Sequence, residues 1–154
     1  MYSVETYSRI YEIRWADLDA NGHVRYSAYI DVTADVRYRF FAEHDFPPEA
    51  FQKLGISPVY TALSAQFLRE VRSGETLNIN YLLAGLSPQG SRWKVQHDLL
   101  KANGKKAAVI SLEGTILDLN TRRATVPPAE LLSLIRQLAR TPEYEEMPES
   151  RWLK

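Results

Sequence analysis

Two carboxylates, an amide, a glycine and a histidine fall within one short run, Asp17-Leu18-Asp19-Ala20-Asn21-Gly22-His23-Val24. Three chemistries suit residues of these types at this spacing. The first is a calcium loop, with oxygen ligands on Asp17, Asp19 and Asn21 and a sharp turn at Gly22. That pattern is incomplete here. Ala28 stands where a bidentate Glu would close the loop, Arg25 occupies another ligand position, and the preceding residues have strand rather than helix periodicity. The second is a polar turn, because Asp and Asn form turns and cap helices. The third is a catalytic site. A helix beginning just after the run presents unpaired N–H groups and the positive end of its dipole. Those groups suit a developing oxyanion, and a carboxylate on the loop leading into the helix can face the same point. Asp19 could then attack an acyl carbonyl or draw a proton from water. Both routes need a good leaving group, so a thioester suits and an amide does not.

The elements around this run are legible from period and punctuation. Tyr7 to Trp15 alternates, with Tyr7, Arg9, Tyr11, Ile13 and Trp15 on the better-buried face of a strand. Arg25 to Glu43 has helical spacing, and no Pro or Gly falls between Val24 and Phe46. This predicts a helix roughly 28 Å long. It carries Tyr26, Tyr29, Tyr38, Phe40 and Phe41, so it needs to be wrapped. Pro47-Pro48 stops it, and a short helix from Glu49 to Leu54 ends at Gly55. Strand-like runs follow over 57–71, 76–86, 92–102 and 105–118, with Asn103-Gly104 a tight-hairpin signal. These four late strands should form an antiparallel meander joined by the first strand. A last helix is expected over 128–140, and an acidic, irregular tail over 141–154. The fold class is α+β: a five-stranded antiparallel sheet around a long central helix, plus a C-terminal helix, as one domain over 1–140.

Composition bounds the function. The chain has 154 residues, with 19 Lys and Arg against 19 Asp and Glu. A zero balance argues against a nucleic-acid partner. There is no cysteine, which removes disulfides, Cys-based metal sites and a Cys nucleophile. Three scattered histidines do not make a zinc site, so no metal or cofactor is expected. Met1 to Thr6 shows no leader and no window spans a membrane, which gives a cytoplasmic expectation without a membrane partner.

The run from Trp15 to Tyr29 resembles the signature of hot-dog-fold acyl-CoA thioesterases of the 4-hydroxybenzoyl-CoA thioesterase-like group. The order strand, long helix, strands resembles that group over about Thr6 to Leu138. The resemblance implies hydrolysis of an acyl-CoA to free acid and CoA. It puts Asp19 in the place of the catalytic carboxylate, as nucleophile or general base. It puts the oxyanion site at the backbone N–H near Tyr26. Gly22 would let the backbone pass close to the thioester, and His23 would orient the loop or a water. Val24 and Tyr29 would line the acyl entry beside the helix. Asp17 reads as a turn or cap residue. Arg69, Arg92 and Arg122, with Arg72, Lys94 and Arg123, are candidates for the CoA phosphates. A homodimer or homotetramer with the active site between subunits is implied as well. Hydrolysis of an acyl carrier protein thioester, or a non-catalytic hot-dog module binding an acyl ligand or partner, are the alternatives.

Overall fold

The computed structural model describes residues 5–153. Residues 1–4 and 154 lie outside the described residues, and with them most of the Met1–Thr6 stretch and the two ends of the segments 1–140 and 141–154. The first strand, β1 (Ser8–Glu12), is followed by a 3₁₀ turn over Trp15–Asp17. The long helix α1 spans Tyr26–Glu43 and the short helix α2 spans Pro48–Leu54. Gly55 ends α2 in the left-handed region, as its position predicts. Strands β2 (Ile56–Phe67), β3 (Thr76–Asn80), β4 (Leu82–Leu86), β5 (Arg92–Lys101), β6 (Lys106–Asp118) and β7 (Ala124–Thr125) follow. Helix α3 (Ala129–Arg136) and strand β8 (Arg140–Glu146) end the order.

β3 and β4 are one strand interrupted at Tyr81, whose N–H donates to the carbonyl of Tyr7 opposite it and extends the β1–β3 ladder by one residue. Taken so, five strands lie in the order β1, β3/β4, β5, β6, β2, all antiparallel neighbours. The sheet is larger than the predicted five strands because β7 and β8 add to it. The predicted meander holds for β3/β4, β5 and β6 only. β2 does not pair with the strand that follows it. It lies at the far edge against β6, with Phe67 opposite Ala108 and Val59 opposite Thr115. Its other edge is unpaired among the described residues, and Leu63, Phe67 and the following Leu68 are about half exposed there. A twelve-residue open edge with apolar side chains is one that proteins ordinarily cover.

α1 lies on the sheet. Ala28, Tyr29, Val32, Val36 and Phe40 recur at helical spacing and are buried against Leu77, Ile79, Leu99, Ile110 and Ile116. Tyr26 and Tyr38 face outward, so the single chain wraps the helix on one side only. Trp15 is 85% exposed, against the parity expected of it. The strand stops at Glu12, and Trp15 opens the 3₁₀ turn, outside the alternation. Gly114 is required on β6 because a Cβ there would run into the Val59 carbonyl and the Trp93 ring.

The tail departs from the irregular segment expected over 141–154. β8 pairs parallel to β4, and Met147 donates its N–H to the Leu86 carbonyl at 3.0 Å. Glu149 then accepts from the Gln89 N–H and the Ser91 hydroxyl at 2.8 and 2.9 Å. β1 covers the edge of β3, and β8 takes over the same edge at β4.

Candidate active site

The Asp19 loop is closed by its own backbone and side chain. The Asp19 N–H donates to the His23 carbonyl at 2.7 Å, and the Gly22 N–H donates to the Asp19 carbonyl at 3.1 Å. Gly22 has φ +76°, a conformation other residues rarely adopt, and it leaves open space beside its Cα. One carboxylate oxygen of Asp19, Oδ1, accepts the N–H groups of Asn21 and His23 at 2.9 and 3.1 Å. Oδ2 takes part in no hydrogen bond among the described residues. The side chain is oriented, exposed, and has one oxygen to spare.

Asp17 differs in every respect. It is 2% exposed and accepts from the Tyr11 hydroxyl, the Arg14 backbone N–H and the Arg14 guanidinium. Burial pushes its carboxyl up, but the hydrogen bonds from Arg14 and Tyr11 outweigh burial and hold it below its ordinary value. Asp17 is a bracket for the turn, as its sequence position suggests.

The start of α1 is open. Arg25 precedes the helix and makes no side-chain capping bond, and no acidic residue sits in the first turn. The Arg25 guanidinium goes instead to the Ser27 hydroxyl and the Ala16 carbonyl. Ala28 donates its N–H to the Arg25 carbonyl at 3.0 Å, while the N–H groups of Tyr26 and Ser27, without a partner among the described residues, keep their capacity for an anion. Val24 is buried just before them and ties the loop to the segment between β2 and β3 through its N–H to the Val71 carbonyl at 2.8 Å.

These parts meet in one open cleft of about 360 Å³, lined by Asp19, His23, Val24, Tyr26, Tyr29 and the segment from Phe67 to Glu70. Tyr29 packs against Phe67 with ring centres 5.5 Å apart. Burial raises the Tyr29 hydroxyl above its ordinary pKa, with the carboxylates of Glu75, Asp19 and Glu70 adding to the effect. His23 places Nε2 3.0 Å from the Glu70 carboxylate. Glu70 has no signal in the sequence that links it to His23. The pair forms only because the chain returns to bridge His23 with Arg72.

The structure thus brings together Asp19, His23, Val24, Tyr26, Tyr29 and Arg69, with Gly22 shaping the loop. Arg69 spends one nitrogen on the Lys106 carbonyl at 2.7 Å. Arg92 and Arg122 lie outside the cleft within one chain. Arg92 pairs with Glu113, and Arg122 sits in the turn after β6 with φ +61°. Arg92 faces Thr115, which is opposite Val59, so it stands at the other end of the β2–β6 ladder from Phe67. That is roughly 26 Å along the strand. His97 is a buried sheet residue. Among the described residues no group of acidic and histidine side chains is arranged to hold a metal ion.

A long helix on a largely antiparallel sheet, with an oriented carboxylate before an uncapped helix start, is the arrangement of a hot-dog protein. Comparison with known proteins supplies the family. The model of the thioesterase-like superfamily matches residues 13–135, and the chain belongs to that superfamily of thioester hydrolases. No curated protein matches the chain. Among solved structures, a Staphylococcus aureus protein in complex with CoA is 18% identical, with a TM-score of 0.80, covering 96% of this chain and 89% of that one. The 1,4-dihydroxy-2-naphthoyl-CoA thioesterase of Synechocystis is 14% identical, with a TM-score of 0.77, covering 86% and 96%. A DHNA-CoA thioesterase from Staphylococcus aureus is 16% identical, with a TM-score of 0.75, covering 86% and 89%. These likenesses establish the fold. No helix of the described residues is long and apolar enough to cross a membrane.

Proposed function

We propose that this protein hydrolyses an acyl-CoA thioester with Asp19 as the reacting carboxylate. The observation that carries this reading is the pairing of a carboxylate held by two backbone N–H groups with an uncapped helix start in the same cleft. The thioester carbonyl oxygen points at the first-turn N–H groups around Tyr26, where negative charge develops in the transition state. Asp19 then acts in one of two ways. Its Oδ2 attacks the carbonyl carbon, the C–S bond breaks, the CoA thiolate takes up a proton, and water cleaves the resulting anhydride. Alternatively Oδ2 takes a proton from a water that attacks directly. His23, tied to Glu70, holds the loop that carries Asp19.

The site is proposed to work between two copies of the chain. Antiparallel pairing of two β2 edges would set Phe67 of one copy beside the Val59 end of the other. The cleft would then gain a second wall, and Arg92 of the second copy would come toward it. Arg69, which lines the cleft, and Arg72, which pairs with Glu70 of its wall, are candidates for the CoA phosphates. The relatives named for CoA thioesters support this substrate class, and a CoA thioester substrate suits a cytoplasmic protein. Turnover of a panel of aliphatic and aromatic acyl-CoAs, read as free thiol, tests the proposal. The cysteine-free chain contributes no thiol of its own. Release of CoA from at least one member is expected, and no turnover across the panel would contradict it.

A further inference from the structure

A second cavity, of about 450 Å³, opens between the C-terminal half of α1, α2 and the first residues of β2. Its size is in the range of small-molecule sites, about 300–1,000 Å³. Its walls are aromatic, with Phe41, Phe46, Phe51, Tyr81 and Trp93 among them. One side chain on this wall carries a full charge. Arg37 is only 8% exposed.

The hydrogen bonds of Arg37 all go to neutral groups. Nε donates to the Tyr60 hydroxyl at 3.1 Å, and Nη1 donates to the Thr33 hydroxyl at 3.0 Å. Nη1 also stands 3.1 Å from Nε2 of His97. His97 is neutral, because its Nδ1 faces the Asn80 carbonyl at 2.7 Å as a donor and burial beside Arg37 opposes a proton on Nε2. The Tyr60 ring lies 5.0 Å from the guanidinium carbon. None of these partners is an anion, and no carboxylate of the described residues pairs with Arg37. A buried cation ordinarily has a counter-ion, because desolvation is costly without one. Nη2 has no partner among the described residues, and no fully occluded side-chain nitrogen among them is left unpaired, so Nη2 reaches accessible space. The space that Arg37 lines is this cavity.

We propose that the cavity is a binding site for an apolar carboxylate, whose hydrocarbon or aromatic body fills the aromatic walls and whose carboxylate pairs with Nη2 of Arg37. A guanidinium on a largely aromatic wall selects a carboxylate over a neutral head group. Two sources share this chemistry. One is a free carboxylic acid. The other is the far end of an ω-carboxyacyl group, reached from the Asp19 cleft of a paired copy, and that source alone rests on the proposed hydrolase.

Isothermal titration of the full chain with octanoate, benzoate and octan-1-ol tests the site. Octanoate or benzoate binding is expected, with octan-1-ol at least about tenfold weaker. Arg37→Gln should weaken the carboxylates by at least about tenfold and leave octan-1-ol unchanged. Ala34→Trp, at an exposed position on the same wall, should abolish binding while leaving the Arg37 hydrogen bonds in place, and it serves if Arg37→Gln fails to fold. Equal binding of octanoate and octan-1-ol, wild-type carboxylate affinity in either variant, or no binding of either carboxylate would overturn the site. Turnover of an ω-carboxyacyl-CoA against its neutral counterpart of equal length separates the sources. A preference abolished by Arg37→Gln assigns the acyl end, and retained octanoate binding without preference assigns a free acid. Titration does not depend on Asp19, so a failed hydrolase would leave the site standing, and failed binding would remove it whatever turnover shows.

Discussion

Asp17 and Asp19 are separated by one residue and face opposite surroundings. Asp17 is buried and fully bonded to Tyr11 and Arg14, while Asp19 is exposed and keeps Oδ2 free. The 3₁₀ turn over Trp15–Asp17 makes this difference, because it turns Asp17 back toward β1 before the chain reaches Asp19. One carboxylate holds the loop, and the other keeps an oxygen open to the cleft.

Asp17→Asn should lower stability by about 1–3 kcal/mol, the cost of disrupting a buried, charge-assisted set of bonds. The Asp17 carboxyl is held below its ordinary value in the folded chain, so its contribution is present at neutral pH and lost as acid protonates it. Urea unfolding at neutral pH checks this, and a midpoint equal to that of wild type would contradict the bracket role.

His97 sets a pH dependence of its own. Burial, with the Arg37 charge, pushes its pKa from the ordinary 6.5 down to about 3. Between these values the unfolded chain binds a proton that the folded chain refuses, so acid favours unfolding. Stability from this group is full above about pH 6.5 and declines as pH falls toward 3. His97→Gln cannot titrate, and its melting temperature should fall less steeply than that of wild type across this window. Parallel curves would contradict the linkage.

The His23–Glu70 pair should act on the Asp19 loop rather than on substrate. Glu70→Gln is expected to lower kcat/KM by less than about tenfold, since a half-exposed pair is worth under about 1 kcal/mol. Stopped assays across acyl-CoA concentration measure it. A loss on the scale expected for Asp19→Asn would place His23 in the chemistry itself.

The open β2 edge predicts self-association. Leu63→Lys puts a charge on the exposed strand and should shift sedimentation toward monomer, with turnover falling in parallel. Full activity of a purely monomeric variant would contradict a site shared between copies.

Local signals carried much of the fold. α1 was legible from its period and from the Pro-free, Gly-free stretch, and begins within one residue of the predicted start. Gly55 and Asn103-Gly104 marked a helix end and a hairpin through their own backbone preferences. The place of β2 was not legible, because pairing Phe67 with Ala108 depends on the path of the whole chain rather than on either segment. β8 was hidden for a related reason. Its glutamates and Pro142 read as loop, and only the open edge of β4 makes it a strand.

The candidate site was legible where it is contiguous. Asp19, Gly22, His23, Val24, Tyr26 and Tyr29 all belong to one loop and one helix turn. Glu70 and Arg37 were not visible, because what distinguishes each is a partner, or the lack of one, far away in the chain.

The most direct measurement is the steady-state rate of Asp19→Asn on the best acyl-CoA of the panel. Asn keeps the size of Asp19 and its contacts to the Asn21 and His23 N–H groups, but it can neither attack nor accept the proton. A fall in kcat of at least about 10²-fold, with KM little changed, is the predicted result. Turnover by Asp19→Asn at the wild-type rate would contradict the role of Asp19.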